Sequence, residues 1–287
     1  MWHLHRIPKI MHCYFGATKM SWLRYMTVKS FSLTNPDWKI KFYTPKQTFS
    51  QGLQWEQHIA PKTGDNTKDW HSEIKNIPNT EVVEVDCIQE GWGDIPDVFR
   101  ADLIRLKVLG NEGGLWQDAD IINFRPLNEA YFNSLSNIEL NTIVSYTHLH
   151  HHFSIGYFFS GPNNPFFQTL YSIGMQRLLS KGDRQTFGVI LWNSLVKDDN
   201  DIKRMYPGLK VLNIDLTICY PFLYNNMSAI LMEPHFLRNT HPQCLAIHWY
   251  GGHPMSAEWE HRLTPENYMN YNTTLCNSIK EAFKYDK

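Results

Sequence analysis

Apolar positions in this chain recur with two different periods, and the change from one to the other marks its elements. Ile7–Phe15 is nearly continuously apolar from Ile10 onward, which predicts a strand of a parallel sheet buried on both faces, ended by Gly16. Ser21–Leu33 has helical spacing and stops at Asn35-Pro36-Asp37, after which Trp38–Tyr43 alternates as a second strand. Strand, helix, strand in this order is the pattern of a nucleotide-binding half-fold. Residues 44–80 are polar with little periodicity and predict an irregular insertion. Glu81–Cys87 predicts a third strand, Gly91–Pro96 a turn, and Asp97 the start of a helix. Further on, Thr142–Tyr146, Val211–Asp215 and Ala246–Tyr250 predict strands. A helix from Gly161-Pro-Asn-Asn-Pro165 to about Leu179 precedes the last two of these.

The stretch from Asp97 to Ile122 carries the chemistry. Successive helical side chains are separated by roughly 100°, so Arg100 and Lys107 share a narrow polar stripe that should face water. Asp102 and Arg105 lie together on the other side, flanked by Val98, Ala101, Val108 and Leu109. An unpaired buried charge is expensive, so the two either pair or point into a polar site. Gly113-Gly114 ends the helix where a positive φ is usually required. Leu115-Trp116 and Ile121-Ile122 then bracket Asp118 and Asp120 as a strand, and side chains two apart in a strand share a side. Two converging carboxylates repel unless a cation or a proton intervenes, and Mg²⁺ or Mn²⁺ suits them. The structural alternative is a solvated strand end. The charged pair on the helix and the Gly-Gly turn favour a site.

At 287 residues the chain is most simply one elaborated domain. Its formal net charge of −1 gives no electrostatic case for nucleic acid or an anionic membrane. Ten Trp and fourteen Tyr would suit sugar-stacking clefts as well as a core. Five scattered cysteines without a C-x-x-C favour a reducing compartment. No stretch approaches the roughly 20 apolar residues of a membrane-spanning helix, and the N-terminus lacks the apolar core of a signal peptide.

Three blocks, Arg100-Ala-Asp-Leu-Ile-Arg105, Asn111-Glu-Gly-Gly114 and Trp116-Gln-Asp-Ala-Asp120, follow an opening Ile7-Pro-Lys-Ile-Met-His-Cys-Tyr-Phe-Gly16. Together they resemble the DXD-containing sugar-transferase family. That family includes yeast initiating α-1,6-mannosyltransferases, bacterial capsular-polysaccharide transferases and the catalytic core of clostridial glucosylating toxins. The resemblance implies a GT-A architecture: an α/β fold with a mixed, mainly parallel sheet flanked by helices and the D-x-D at a strand end. Residues 1–287 would form a single catalytic domain, with 246–270 closing over the site. The implied reaction is retaining, metal-dependent transfer of a hexose from a nucleotide diphosphate sugar, with a UDP-sugar favoured, to an acceptor hydroxyl. A glycan is the expected acceptor; modified viral DNA and a protein side chain are alternatives, the former through a basic strip at Lys203-Arg204 and Lys210. A soluble cytoplasmic protein of the bacterial or viral kind is the expectation.

The resemblance also assigns residues. Asp118 and Asp120 would hold Mn²⁺ or Mg²⁺, with His248 as a third contact. Tyr14, Phe15, Gly16, Asp102, Arg105, Trp116, Ser256 and Trp259 would surround the donor, with Gly251-Gly252 freeing the closing loop. Asp102, Arg105, Asp118 and Asp120 make up the catalytic set, and same-face attack accounts for retention. The chain departs from the family at Ser154, where an Asn is common, and at Arg184–Gly188, where Phe187 interrupts a T-G-P-like turn and leaves Thr186 and Gly188 as acceptor-side candidates. His148, His150, His151 and His152 would form a loop near the acceptor, a solvated run or a metal site. An aspartate-nucleophile phosphatase is disfavoured by Ile122, which stands where those enzymes place Thr or Val. A non-catalytic nucleotide-sugar-binding module is disfavoured by two intact carboxylates.

Overall fold

The computed structural model describes residues 7–16, 19–47, 68–93, 95–127, 140–147, 152–179 and 187–286. Seven strands form the main sheet: β1 (Ile10–Tyr14), β2 (Lys39–Pro45), β3 (Thr80–Val85), β4 (Gly114–Gln117), β6 (Thr142–Thr147), β7 (His152–Ser160) and β8 (Val211–Asn213). Their order is β3-β2-β1-β4-β7-β6-β8, and β5 (Ile121–Asn123) pairs with β9 (Ala246–His248) in a separate two-stranded sheet. Neighbours β3, β2, β1 and β4 run parallel, as do β6 and β8, while β7 is antiparallel to both β4 and β6. This is the mixed, mainly parallel sheet expected from the sequence.

The five longer helices are α1 (Trp22–Thr34), α2 (Asp97–Asn111), α3 (Pro165–Leu179), α4 (Pro254–Arg262) and α5 (Thr274–Ala282). The Ser21 hydroxyl accepts from the Arg24 backbone N–H and caps α1, satisfying one of the donors a helix start leaves unpaired. On one face of the sheet, Leu103, Ile104 and Leu106 of α2 pack with Phe166 and Leu170 of α3 against Trp116 and Phe158. On the other, Val28 and Phe31 of α1 cover Met11, Leu115 and Phe159. A third cluster joins Trp22, Leu23 and Met26 to Trp249, Trp259 and Leu275. The C-terminal segment thus packs on the outer side of α1.

Gly113 and Gly114 both have positive φ, 72° and 111°. A β-carbon on Gly114 would lie 2.4 Å from the Ile10 carbonyl oxygen, so only glycine lets β4 begin beside β1 here. The buried His12 ring secures the same turn: its Nε2 donates to the Gly113 carbonyl over 2.8 Å, and its Nδ1 accepts from the Tyr43 hydroxyl over 2.9 Å.

Two expectations change. Arg100 does not face water: it is buried, donating to the carbonyls of Trp92 and Gly93 and pairing with Asp97. Helical spacing alone cannot show that the turn before α2 folds back over that stripe. Lys107, two turns further on, pairs with Glu90. Likewise Leu115–Ile122 is not one strand, because β4 ends at Gln117 and β5 begins at Ile121 in the other sheet. Asp118–Asp120 form the turn between the sheets. The Gln117 amide stabilises it by donating to the Ile121 carbonyl and accepting from Asn123. Within the expected insertion, β2 reaches Pro45 and a 3₁₀ turn spans His71–Asn76, and residues 48–67 lie outside the described ones. Among the described residues, no helix is long and apolar enough to cross a membrane.

Candidate active site

The turn between β4 and β5 holds its two carboxylates from opposite sides. Asp118 is held from the main sheet and α2. Its Oδ1 accepts from the Trp116 indole N–H over 2.7 Å and lies 3.2 Å from an Arg105 guanidinium nitrogen. Its backbone N–H donates to the Gly156 carbonyl over 2.9 Å. The same Arg105 nitrogen is 3.0 Å from Asp102, and a second one donates to the Ile155 carbonyl. Arg105 therefore bridges two carboxylates and a strand. Burial pushes the Asp102 carboxyl up to about 6, with Arg105 pulling it down and Asp118 raising it further. A β-carbon at Gly156 would sit 2.7 Å from both Asp118 Oδ2 and the Tyr220 hydroxyl, so glycine is needed for that approach.

Asp120 is held from the C-terminal segment and α1. Its Oδ1 lies 3.0 Å from His248 Nε2, and its Oδ2 accepts from the Gly251 N–H over 2.8 Å. Its own carbonyl accepts from the Trp249 N–H, continuing the β5–β9 pairing. The Arg24 guanidinium stands 4.0 Å from Oδ2. Arg24 also donates to Glu260 and to the Ala119 carbonyl, and lies 4.6 Å from the centre of the Trp249 ring. Burial alone would push the Asp120 carboxyl up. The His248 ring, Arg24 and the Gly251 N–H outweigh it and hold the group well below the usual carboxylate range.

Asp118, Asp120 and His248 each offer one ligand atom, and these atoms all lie within 4.8 Å of one another. Two carboxylate oxygens and an imidazole nitrogen form a donor set for one divalent ion, and Mn²⁺ accepts both ligand types. Among the described residues His248 Nδ1 is buried without a hydrogen-bond partner, while Nε2 faces the Asp120 carboxylate and is the nitrogen available to the cluster. The residues present therefore suit the implied metal.

The other expected contacts are distributed differently. Asp102, Arg105 and Trp116 are buried beneath Asp118 and bond to one another and to it, so their interactions are internal to the fold. Tyr14 is also buried, its hydroxyl donating to Asp97. A β-carbon on Gly16 would meet that carboxylate at 2.0 Å, so Gly16 serves a close packing contact. Phe15, half-buried, stands 5.7 Å from the Arg24 guanidinium and so on the Asp120 side. Ser256 and Trp259 do not lie on an open closing loop. Both are in the interior of α4, where the Ser256 hydroxyl donates to the Trp249 carbonyl and Trp259 packs against Tyr271. Gly251 serves proximity, since a β-carbon there would lie 2.0 Å from Arg24. Ser154 is half-buried on β7, and a β-carbon on Gly188 would lie 3.1 Å from Asp102 Oδ2. Thr186 and His148, His150 and His151 lie outside the described residues.

Sequence reasoning passed over Arg24, Glu260, Gly156 and Tyr220. One signal was present: Arg24 stands among Trp22, Leu23 and Met26 on α1, a charge in an apolar stretch. A buried charge there needs a partner from elsewhere in the chain.

A family model described as capsular polysaccharide synthesis protein matches residues 83–182. The match covers α2, the Gly-Gly turn and the D-x-D, and it bears out the sugar-transferase resemblance. A search of curated protein sequences finds no match. Among solved structures, the chain is similar to the PaToxG glycosyltransferase at 13% identity, covering 70% of this chain and 71% of that one with a TM-score of 0.47. It is similar to the glycosyltransferase GlyE of Streptococcus pneumoniae TIGR4 at 13% identity, with 95% of this chain and 60% of that one covered and a TM-score of 0.48. It is also similar to the galactosyltransferase LgtC, at 13% identity over 91% of this chain and 99% of that one with a TM-score of 0.42. Sheet order, flanking helices and the carboxylates that follow β4 define an α/β protein with a mixed, mainly parallel sheet and an acidic cluster where the chain leaves it.

Proposed function

We propose that this protein is a retaining, metal-dependent glycosyltransferase, with residues 1–287 acting as one catalytic unit. It would move a hexose from a nucleotide diphosphate sugar, a UDP-sugar in the first instance, to a hydroxyl of a glycan acceptor. The observation that carries this reading is the convergence of Asp118, Asp120 and His248 within 4.8 Å on the turn that leaves the main sheet. These three residues would hold Mn²⁺ or Mg²⁺, which when bound supplies Lewis-acid stabilisation of the departing diphosphate.

The chain's own residues prepare that position. Arg105 fixes the direction of the Asp118 carboxylate while its second contact, Asp102, balances its charge. The Gly251 N–H and Arg24 do the same for Asp120, so both carboxylates are oriented before any ligand arrives. Such preorganisation spares the reaction the cost of arranging charges as the glycosidic bond breaks. Same-face attack fits the carboxylates near the site. Asp118 and Asp120 would be taken up by the ion, while Asp102 pairs with Arg105 and Glu260 with Arg24, which leaves none of these four as a nucleophile.

The test is a panel of UDP- and GDP-sugars with Mn²⁺, read by thermal stabilisation and by slow donor hydrolysis. A ligand that binds only the folded protein raises its stability in proportion to the logarithm of its excess over Kd. One donor should stabilise the protein and be hydrolysed, and Asp120→Asn should abolish hydrolysis while the protein stays folded. Silence from every donor would overturn the proposal. Donor binding without turnover in either protein would favour a binding module instead.

A further inference from the structure

A row of aromatic rings leads from the candidate metal centre to the surface. The Tyr250 ring meets His248 edge-on with centroids 4.2 Å apart. Tyr224 meets Tyr250 at 5.7 Å and an interplanar angle of 86°, and meets His253 at 4.8 Å and 71°. Tyr224 is 43% exposed. The row thus begins at a ligand candidate and ends in solvent, with two tyrosine rings set at a right angle near its outer end.

Backbone and hydroxyl hydrogen bonds hold the corner in place. Tyr250 has a φ of 49°, in the left-handed region that a bulky residue adopts only when its surroundings enforce it. Its hydroxyl donates to the Phe222 carbonyl over 3.0 Å, and its own carbonyl accepts from the His253 N–H over 2.8 Å. His253 Nδ1 accepts from the Met255 N–H, which fixes that ring as the cap of α4. Backbone strain of this kind concentrates at ligand sites, where the fold holds a side chain in a set direction.

We propose that Tyr224, Tyr250 and His253 form a stacking corner that seats one hexose ring of the acceptor glycan beside the Asp118–Asp120–His248 centre. This inference rests on the glycosyltransferase reading. A pyranose ring has one face of C–H groups, matching the flat apolar body of a tyrosine, and a rim of hydroxyls that need polar neighbours. A perpendicular pair of rings offers a face and an edge together. That shape suits a puckered, hydroxyl-rimmed ring better than a planar nucleobase, which would call for parallel faces. Because the row starts at His248, a sugar seated there lies near the reacting centre.

Saturation-transfer NMR with the methyl glycosides of glucose, galactose and mannose, in the presence of UDP and the diamagnetic ion Mg²⁺, tests the assignment. At least one glycoside should show transfer to its ring C–H protons. That transfer should fall at least about fivefold in Tyr224→Ala and persist in Tyr224→Phe, which keeps the ring. UDP binding, followed separately by thermal stabilisation, should be equal in all three proteins. No transfer from any glycoside, or equal transfer in the wild type and Tyr224→Ala, would overturn the corner even where UDP binds normally. Loss of UDP binding in the wild type would instead overturn the glycosyltransferase reading, so the two failures are separable.

Discussion

Asp118 and Asp120 stand two residues apart on one turn, yet the molecule holds them by different means. Asp118 depends on neighbours close in sequence, Trp116 and Arg105, and its side chain is 28% exposed. Asp120 depends on His248, Gly251 and Arg24, each about a hundred residues away or more, and is 14% exposed. One carboxylate is a product of the central helix and strand. The other is set only when the C-terminal segment has packed onto α1. The cluster is therefore complete only once the third hydrophobic cluster has formed, which couples ligand geometry to long-range folding.

Removing charge from either carboxylate should produce the largest effect. Asp118→Asn and Asp120→Asn should each lower turnover by roughly a thousandfold, corresponding to several kcal/mol of transition-state stabilisation. They should differ in stability. Asp118→Asn leaves Arg105 paired with Asp102, whereas Asp120→Asn weakens the contacts that tie β5 to His248 and Arg24. Donor-hydrolysis rates alongside urea melts check both halves. Equal stabilities would remove the distinction between a local and a distant anchor.

That distinction also explains what was legible in the sequence. The Asp102–Arg105 pair and the positive-φ turn at Gly113-Gly114 follow from local spacing, which helix geometry decides; Asp118 and Asp120 do converge, but through a turn between two sheets rather than along one strand. His248 came from the resemblance, because nothing local to it marks a ligand. Arg24 and Glu260 were not legible, since their pairing spans 236 residues and depends on how α4 packs. Arg100 was misread for a related reason: the carbonyls it meets belong to a turn outside the helix wheel. The resemblance and the Gly-Gly pair before Ser256 and Trp259 together suggest a free closing loop there. His253 instead starts a helix there that buries both.

A contact between β1 and the Gly-Gly turn before the carboxylates, made by His12, should carry a pH signature. Burial holds the His12 imidazole down at about 4, against about 6.5 when exposed, with the Gly113 and Glu112 contacts opposing and Lys41 reinforcing. The unfolded chain takes up a proton that the folded one refuses, so stability should be full above pH 7 and fall as pH drops from 6.5 toward 4. The loss from this one group is about 3 kcal/mol across that window. His12→Gln should flatten the slope in urea melts collected between pH 7 and 4. An unchanged slope would mean that His12 is protonated in the fold, and the Gly-Gly turn would need another explanation.

The two close-approach glycines offer a matched pair. In Gly251→Ala the new methyl meets Arg24, whose guanidinium is fixed by Glu260 and the Ala119 carbonyl, so the fold should lose about 2 kcal/mol. In Gly156→Ala the methyl meets the free end of the Asp118 carboxylate and the Tyr220 hydroxyl. These can move aside, so stability should change by less than about 1 kcal/mol, while Mn²⁺ binding weakens as Asp118 turns. Melts and Mn²⁺ titrations of both variants check this. Metal binding lost with stability intact in Gly251→Ala would reverse the assignment of which side is rigid.

The smallest effect tests the distant anchor most directly. Arg24 donates through Nε to Glu260 over 3.0 Å and through a terminal nitrogen to the Ala119 carbonyl over 3.2 Å, so one planar group links α4 to the carboxylate turn. Lysine retains the charge but cannot reach both acceptors in that fork. The Arg24 and Glu260 side chains are only 17% and 19% exposed, so solvent screens the pair weakly. A double-mutant cycle of Arg24→Lys and Glu260→Gln should therefore give a coupling of about 1 kcal/mol, above the range of most exposed pairs. Mn²⁺ affinity should fall a few-fold in either single variant, with little further loss in the double, because Asp120 is released once the link is cut. Additive effects on stability and on Mn²⁺ affinity would show that Arg24 and Glu260 act independently. The geometry of Asp120 would then rest on His248 and the Gly251 N–H alone.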